Sequence, residues 1–196
     1  MFTSALSFLV HTIINTLCMM FLLRFFMQLF KCSFYNPLGQ MVIALTDFAV
    51  KPARRLIPSW KKIDLSTLFL AILTQFLLQL LLLWLRDFPL AVAGASVWPS
   101  IIGMSLLGLI RAVLDLFFYA ILLQVILSWV NPHTPIAPVL NSLTRPILAP
   151  IQRIIPIANG IDFSPVVALI VLQMLNISVI SAFENTMQAI FQASLS

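Results

Sequence analysis

The sequence predicts an all-α membrane protein: four transmembrane helices as two parallel tandem repeats, each with a cytoplasmic interfacial amphipathic helix in its connector. Three observations carry that prediction. The 196 residues are 61% hydrophobic and 9% charged, with mean hydropathy +1.07, too apolar to clothe a soluble domain of this length. Charged side chains are missing from 1–23, 65–85, 88–110, 116–144 and 163–183, and runs of about 20 such residues cross a bilayer core. A shift of 98 residues then lays the second half of the chain on the first.

In that register Pro37 meets Pro135, Leu45-Thr46 meets Leu143-Thr144, Pro52 meets Pro150 and Arg55 meets Arg153. Ile57-Pro58, Asp64, Ser66 and Gln75 fall on Ile155-Pro156, Asp162, Ser164 and Gln173. Apolar bias can match leucines by chance; it does not match prolines, an Arg, an Asp, a Ser and a Gln in one register. The first unit, 1–98, reads as a helix near 5–30, a connector over 36–65 and a helix near 66–85. The second, 99–196, reads as a helix near 100–130, a connector over 134–163 and a helix near 165–190. Two crossings per unit leave both copies facing the same way. A fifth crossing through 88–103 would break that parity, and Pro89 and Pro99 oppose a regular helix there.

The first helix is expected to be retained rather than cleaved as a secretory signal, since "MFTSALSFLVHTIINTLCMMFLLRFF" has no early cation and too long an apolar core. Orientation follows from cations. Six of the 11 Lys and Arg, namely Lys31, Lys51, Arg54, Arg55, Lys61 and Lys62, lie in the first connector, and Arg145 and Arg153 in the second. The far side has Arg86 beside Asp87. The positive-inside rule puts both connectors in the cytoplasm and both termini outside.

Each connector carries its own helix signal. Asn36-Pro37 reads as an N-cap with proline at the first helical position, and Thr134-Pro135 repeats it. Leu38, Met41, Val42, Leu45 and Phe48 then recur at helical spacing, as do Ile136, Val139, Leu140, Leu143 and Ile147. Such a helix either lies on the membrane, with Lys51, Arg54, Arg55, Lys61 and Lys62 on anionic head groups, or packs on its own bundle. Ser66 and Ser164-Pro165 read as caps of the second helix of each unit. Asp64 and Asp162 sit near the positive dipole end, with an Arg–Asp contact expected to Arg55 and Arg153.

Polar residues within the spans need a reason, because a charge in hydrocarbon costs about 2.5–3.5 kcal/mol. Arg24 is near enough to the interface to snorkel. Arg111 and Asp115 lie deep in the third helix on one face, with Tyr119 the next step along it. Gln75 and Gln173 fall near mid-membrane, with Gln79 and Asn176 extending their faces. Two readings stay open: amides and ion pairs that hold helices together, or, with His11 and Asn15, a polar path. Catalytic motifs (Walker loop, GxSxG, HExxH) are absent, so no enzyme is expected. Cys18 and Cys32, with no CxxC, suggest neither a metal site nor a redox pair, and no cofactor is expected. Membrane-adjacent cations do not suggest nucleic acid.

The doubled pattern P-x7-L-T-x5-P-x2-R-x-I-P-x5-D-x-S resembles the YggT (YlmG) family of bacterial and plastid membrane proteins over nearly the whole chain. The second copy, with "LTRPILAPIQRIIP" and "GIDFSP", is the better match. The first departs at Phe48, where a proline is usual, and at "SWKK". The resemblance implies an integral inner-membrane or thylakoid protein without established catalytic residues. It associates bacterial members with osmotic-shock tolerance and ion homeostasis. Plastid and cyanobacterial relatives are associated with haem attachment and membrane organisation. This chain has no haem-ligand His pair, so the haem role is not carried over. Two functions follow as expectations: an oligomeric, channel-like or transport-associated protein, or a scaffold whose connectors bind lipid or a membrane-protein partner.

Overall fold

The computed structural model describes residues 2–57, 63–86, 88, 97–155 and 162–195. Among the described residues six helices form: α1 (Phe2–Leu29), α2 (Pro37–Leu56), α3 (Leu65–Leu85), α4 (Val97–Val130), α5 (Ala137–Ile154) and α6 (Ser164–Leu195). α1, α3, α4 and α6 are long and apolar enough to cross a membrane. Their only prolines, Pro99 in α4 and Pro165 in α6, stand in first turns, where a missing N–H costs nothing. At 34 residues α4 is about 51 Å long, well beyond a bilayer core of about 30 Å. The expected four-span, two-connector plan is therefore the architecture found. Of the stretch 88–103, residues 97–103 open α4; Asp87 and 89–96 lie outside the described residues.

Each unit folds as a hairpin, α1 on α3 and α4 on α6, and α4 is central, touching α1, α3, α5 and α6. Cys18, Phe21, Leu22, Ala71, Leu116, Phe117, Ala120, Ile121, Ala168 and Leu172 form the main core in the half nearer the connectors. A smaller cluster of Leu83, Phe88, Val97, Ile101 and Met104 closes the opposite, distal end between α3 and α4.

α2 begins as read: Asn36 Oδ1 accepts the Gly39 N–H at 2.9 Å and Pro37 follows the cap. Glycine is required at 39, because a Cβ there would stand 2.7 Å from the Phe34 Cα, and backbone cannot step aside. The buried face of α2 is Gly39, Val42, Thr46 and Val50. Met41, Leu45 and Phe48 of the expected stripe point outward instead, at 44%, 49% and 68% exposure. α2 is thus apolar on two sides, one against the bundle and one free. α5 buries Val139, Leu140, Leu143, Thr144 and Leu148. Its start differs from expectation. The helix opens at Ala137 with Pro138 in its first turn, and Thr134 Oγ1 accepts the Ile136 N–H at 3.1 Å in a turn before it.

Both connector helices are tied to the preceding span through the repeated threonine. In the first unit Arg24 donates to Thr46 Oγ1 at 2.6 Å and to Asp47 Oδ1 at 2.9 Å, while Lys51 reaches Asp47 Oδ2 at 2.8 Å. Arg24 is 6% exposed, so it does not snorkel; the carboxylate of α2 comes to it instead. Asp47 is held below the usual carboxylate range by the Lys51 hydrogen bond first and then by Arg24, against its own desolvation. In the second unit Thr144 donates to Gln124 Oε1 at 2.5 Å, and Gln124 Nε2 donates to Asn141 at 2.8 Å. The same joint is built without charge.

Candidate functional site

A chamber of about 250 Å³ lies in the distal half of the bundle, and α1, α3, α4 and α6 all line it. Its polar wall is His11 and Asn15 from α1, Gln75, Gln79 and the C-cap Arg86 from α3, and Arg111 and Asp115 from α4. Leu78, Leu82, Leu107, Val179 and Phe183 make the rest. Toward the connectors the main core begins within about a turn on each helix, at Cys18, Ala71, Leu116 and Leu172, so the chamber is blind at that end. A glycine shapes its floor. A Cβ on Gly108 would meet Gln75 Oε1 at 2.8 Å and Gln79 Nε2 at 3.4 Å, so a larger residue would push these two amides aside.

Two interhelical hydrogen bonds seal the floor, one in each repeat. Gln75 Nε2 donates to Asn15 Oδ1 at 3.1 Å, joining α3 to α1. Asn176 Nδ2 donates to Asp115 Oδ1 at 2.5 Å, joining α6 to α4. The pairs are counterparts if α1 is laid on α4 with a shift of 100 residues, which also sets His11 on Arg111 and Arg24 on Gln124. The shift of 98 that matches the connectors hides this, because the path from Arg24 to Thr46 is 22 residues and that from Gln124 to Thr144 is 20. That gap is the signal that makes Asn15 and His11 the repeat counterparts of Asp115 and Arg111.

The intramembrane candidates therefore divide. Arg111, Asp115 and Gln75 meet in the chamber, and Asn176, 7% exposed, holds Asp115 from behind. Gln173 does not join them. It is exposed on the outside of α6, since Asn176, one turn later, occupies the inward position. Tyr119 also leaves the face, at 56% exposure, and borders a separate apolar cleft with Met19, Met20 and Leu123. Arg111 Nε stands 3.8 Å from Asp115 Oδ2, a loose ion pair beyond hydrogen-bond reach.

The motif residues build the hinge between each connector and its second span, with three corrections. The cation on Asp64 is Arg54, not Arg55; in the second unit the equivalent Gln152 Nε2 donates to Asp162 Oδ2 at 2.8 Å. Arg55 and Arg153 are exposed, because one residue along a helix turns a side chain by about 100°. Neither serine is an N-cap. Ser66 lies inside the first turn of α3 and donates to Ile57 O, the C-cap carbonyl of α2, at 2.5 Å. Ser164 opens α6, its N–H bonded to Asp162 Oδ1 at 2.9 Å and its buried Oγ without a partner among the described residues. Hydrogen bonds from Ser164 and Gln152 hold Asp162 below the usual carboxylate range despite burial, the largest single influence and one that opposes them. Pro52 and Pro150 sit within the last turns of α2 and α5. Pro58, Lys61, Lys62 and Pro156 lie outside the described residues. Lys51 is 75% exposed, and an open pocket of about 350 Å³ is bordered by Arg24, Gln28, Phe34, Ile43 and Arg54.

Among the described residues no three His, Cys, Asp or Glu side chains cluster as a metal site would require. Cys18 and Cys32 are free and buried, and burial pushes the Cys32 thiol up.

A family model described as CCB3/YggT matches residues 3–85 and again 103–183, once on each unit. The chain is 35% identical to "Uncharacterized protein YggT" of Escherichia coli K12 over 184 residues, 93% of both chains. It is 36% identical to an uncharacterized protein of Vibrio alginolyticus over 88% of this chain and 92% of that one. An uncharacterized protein of Pseudomonas aeruginosa is 34% identical over 91% and 89%. No solved structure matches.

Proposed function

The chain belongs to the CCB3/YggT family, and on that premise we propose a non-enzymatic inner-membrane protein that serves ion homeostasis and osmotic tolerance by admitting a small solute to the distal chamber. One observation supports this reading above others: polar side chains of α1, α3 and α4 converge on one cavity, where dry helix-to-helix bonds alone would leave no space. The blind floor means that passage requires the core around Phe21, Phe117 and Ile121 to part, or several copies to assemble around a shared path. The test is ion flux into proteoliposomes under imposed osmotic and ionic gradients. Flux that falls in Asp115→Ala supports the reading; wild type no faster than empty liposomes ends the transport part of it.

The chamber then faces the periplasm and the connectors the cytoplasm, by the distribution of cations. Single cysteines introduced at 55 and 145, in a background lacking Cys18 and Cys32, should both resist an impermeant thiol reagent added to intact spheroplasts. Both should react once the inner face is opened. Labelling of only one from outside would break the tandem topology and the orientation together.

A second reading, a scaffold acting through its connectors, is favoured by α2. Its outward Met41, Leu45 and Phe48, flanked by Lys51 and Arg55, have the make-up of a surface that enters an anionic leaflet. Partners under this reading are anionic lipids, further copies of the chain, or another membrane protein.

A further inference from the structure

We infer that the chamber is a binding site for one small inorganic anion of the halide or nitrate class, held between Arg111 and the Gln79 amide, with Arg86 at the mouth. The inference rests on the reading of the chamber as a solute site and adds the sign of the solute.

Three observations carry it. Gln79 is 4% exposed and lines the cavity, yet makes no hydrogen bond among the described residues. Its amide atoms are not shut off from the cavity, so their partner is whatever the cavity holds. The Gln79 Nε2 lies beside Gly108 and offers donors there, next to the Gln75 carbonyl oxygen, which is an acceptor and the nearer atom to that glycine. Arg111, one turn beyond Gly108 on the same face of α4, is the second. Its only ionic partner among the described residues is Asp115 at 3.8 Å, so all five guanidinium donors remain free. Third, Asp115 is already engaged by Asn176, while Arg86 adds a second cation to the wall.

Among the described residues the charged groups facing the chamber are Arg86, Arg111 and Asp115, with His11 beside them. Glu184 stands outside, exposed, in the outer vestibule that Arg86 and Arg111 also border. Two guanidinium groups with unspent donors against one carboxylate recognise an anion by charge-assisted hydrogen bonds. A cation would meet the two guanidinium groups first.

The experiment titrates chloride into the purified full-length protein in detergent, exchanged from sodium gluconate at constant ionic strength. Thermal unfolding and chloride NMR line broadening are the readouts. A saturable rise in Tm and a line width that nitrate or bromide competes away are expected. Arg111→Gln should weaken the apparent affinity at least about tenfold, as expected for one charge-assisted hydrogen bond. Gly108→Leu, which displaces the Gln75 and Gln79 amides but keeps Arg111, should do the same. Asp115→Asn should tighten binding. Equal responses to gluconate and chloride, or an unchanged affinity in folded Gly108→Leu, would overturn the inference. Saturable binding of sodium or potassium with none of chloride would overturn the anion while leaving the solute site standing. Chloride binding without flux would retain the anion site and remove transport.

Discussion

Replacing Asp47 by alanine is expected to destabilise the protein by about 3–5 kcal/mol, the range for orphaning a buried charge. Arg24 is 6% exposed and its acceptors among the described residues are Thr46 Oγ1 and Asp47 Oδ1. Without the carboxylate, a guanidinium in the membrane half of α1 keeps one neutral hydroxyl. Lys51 cannot take over, since it shares the sign of the charge. The second unit shows what a neutral joint looks like: Gln124, Thr144 and Asn141 make the same connection with amides and a hydroxyl. Arg24→Gln combined with Asp47→Asn should therefore cost much less than Asp47→Ala alone, read by SDS or thermal unfolding in detergent. An Asp47→Ala protein as stable as wild type would mean that Arg24 finds water in the native state. The pH dependence has a definite sign. The folded-state pKa of Asp47 lies below the ordinary aspartate value of about 3.9, so its stabilisation is complete above that value. It is lost as pH falls through the lower, folded-state value. Docking of α2 should hold at neutral pH and loosen only in strong acid.

The second large effect is expected at the hinge into α3. Arg54→Ala should cost about 3 kcal/mol, the low end for breaking a buried pair, because Arg54 itself is 41% exposed and partly screened. Its partner Asp64 has a fully buried side chain, Oδ2 on Arg54 and Oδ1 without a partner among the described residues. Arg55→Ala, one residue on, should change stability by no more than about 0.5 kcal/mol. Comparable losses for the two arginines would refute the assignment of the pair. A double-mutant cycle with Asp64→Ala separates the pair from packing by the Arg54 stem: coupling near zero would leave the effect to packing alone.

That arginine also shows where reading a linear chain stops. Arg55 repeats as Arg153 and Arg54 does not repeat, so identity favoured Arg55 as the partner of Asp64. The fold prefers spatial equivalence: Arg54 and Gln152 occupy the same place, and both reach the aspartate by different chemistry. The same holds for Gln173. It matches Gln75 in sequence yet faces outward, because Asn176 already fills the inward position against Asp115. Asn15 and His11 escaped pairing with Asp115 and Arg111 because two residues differ between the α1–α2 and α4–α5 paths.

What the linear chain determined by itself is the class, the four spans, the doubling and the two amphipathic connectors. Those follow from apolar run length, helical spacing and repeated prolines, all of which are local or periodic quantities. Only the tertiary structure decided which cation sits on which carboxylate, that Arg24 turns inward, and that polar residues from three helices share one chamber. Those outcomes depend on the rotation of each helix about its axis. Packing sets that rotation, and a slip of one residue swings a side chain through about 100°.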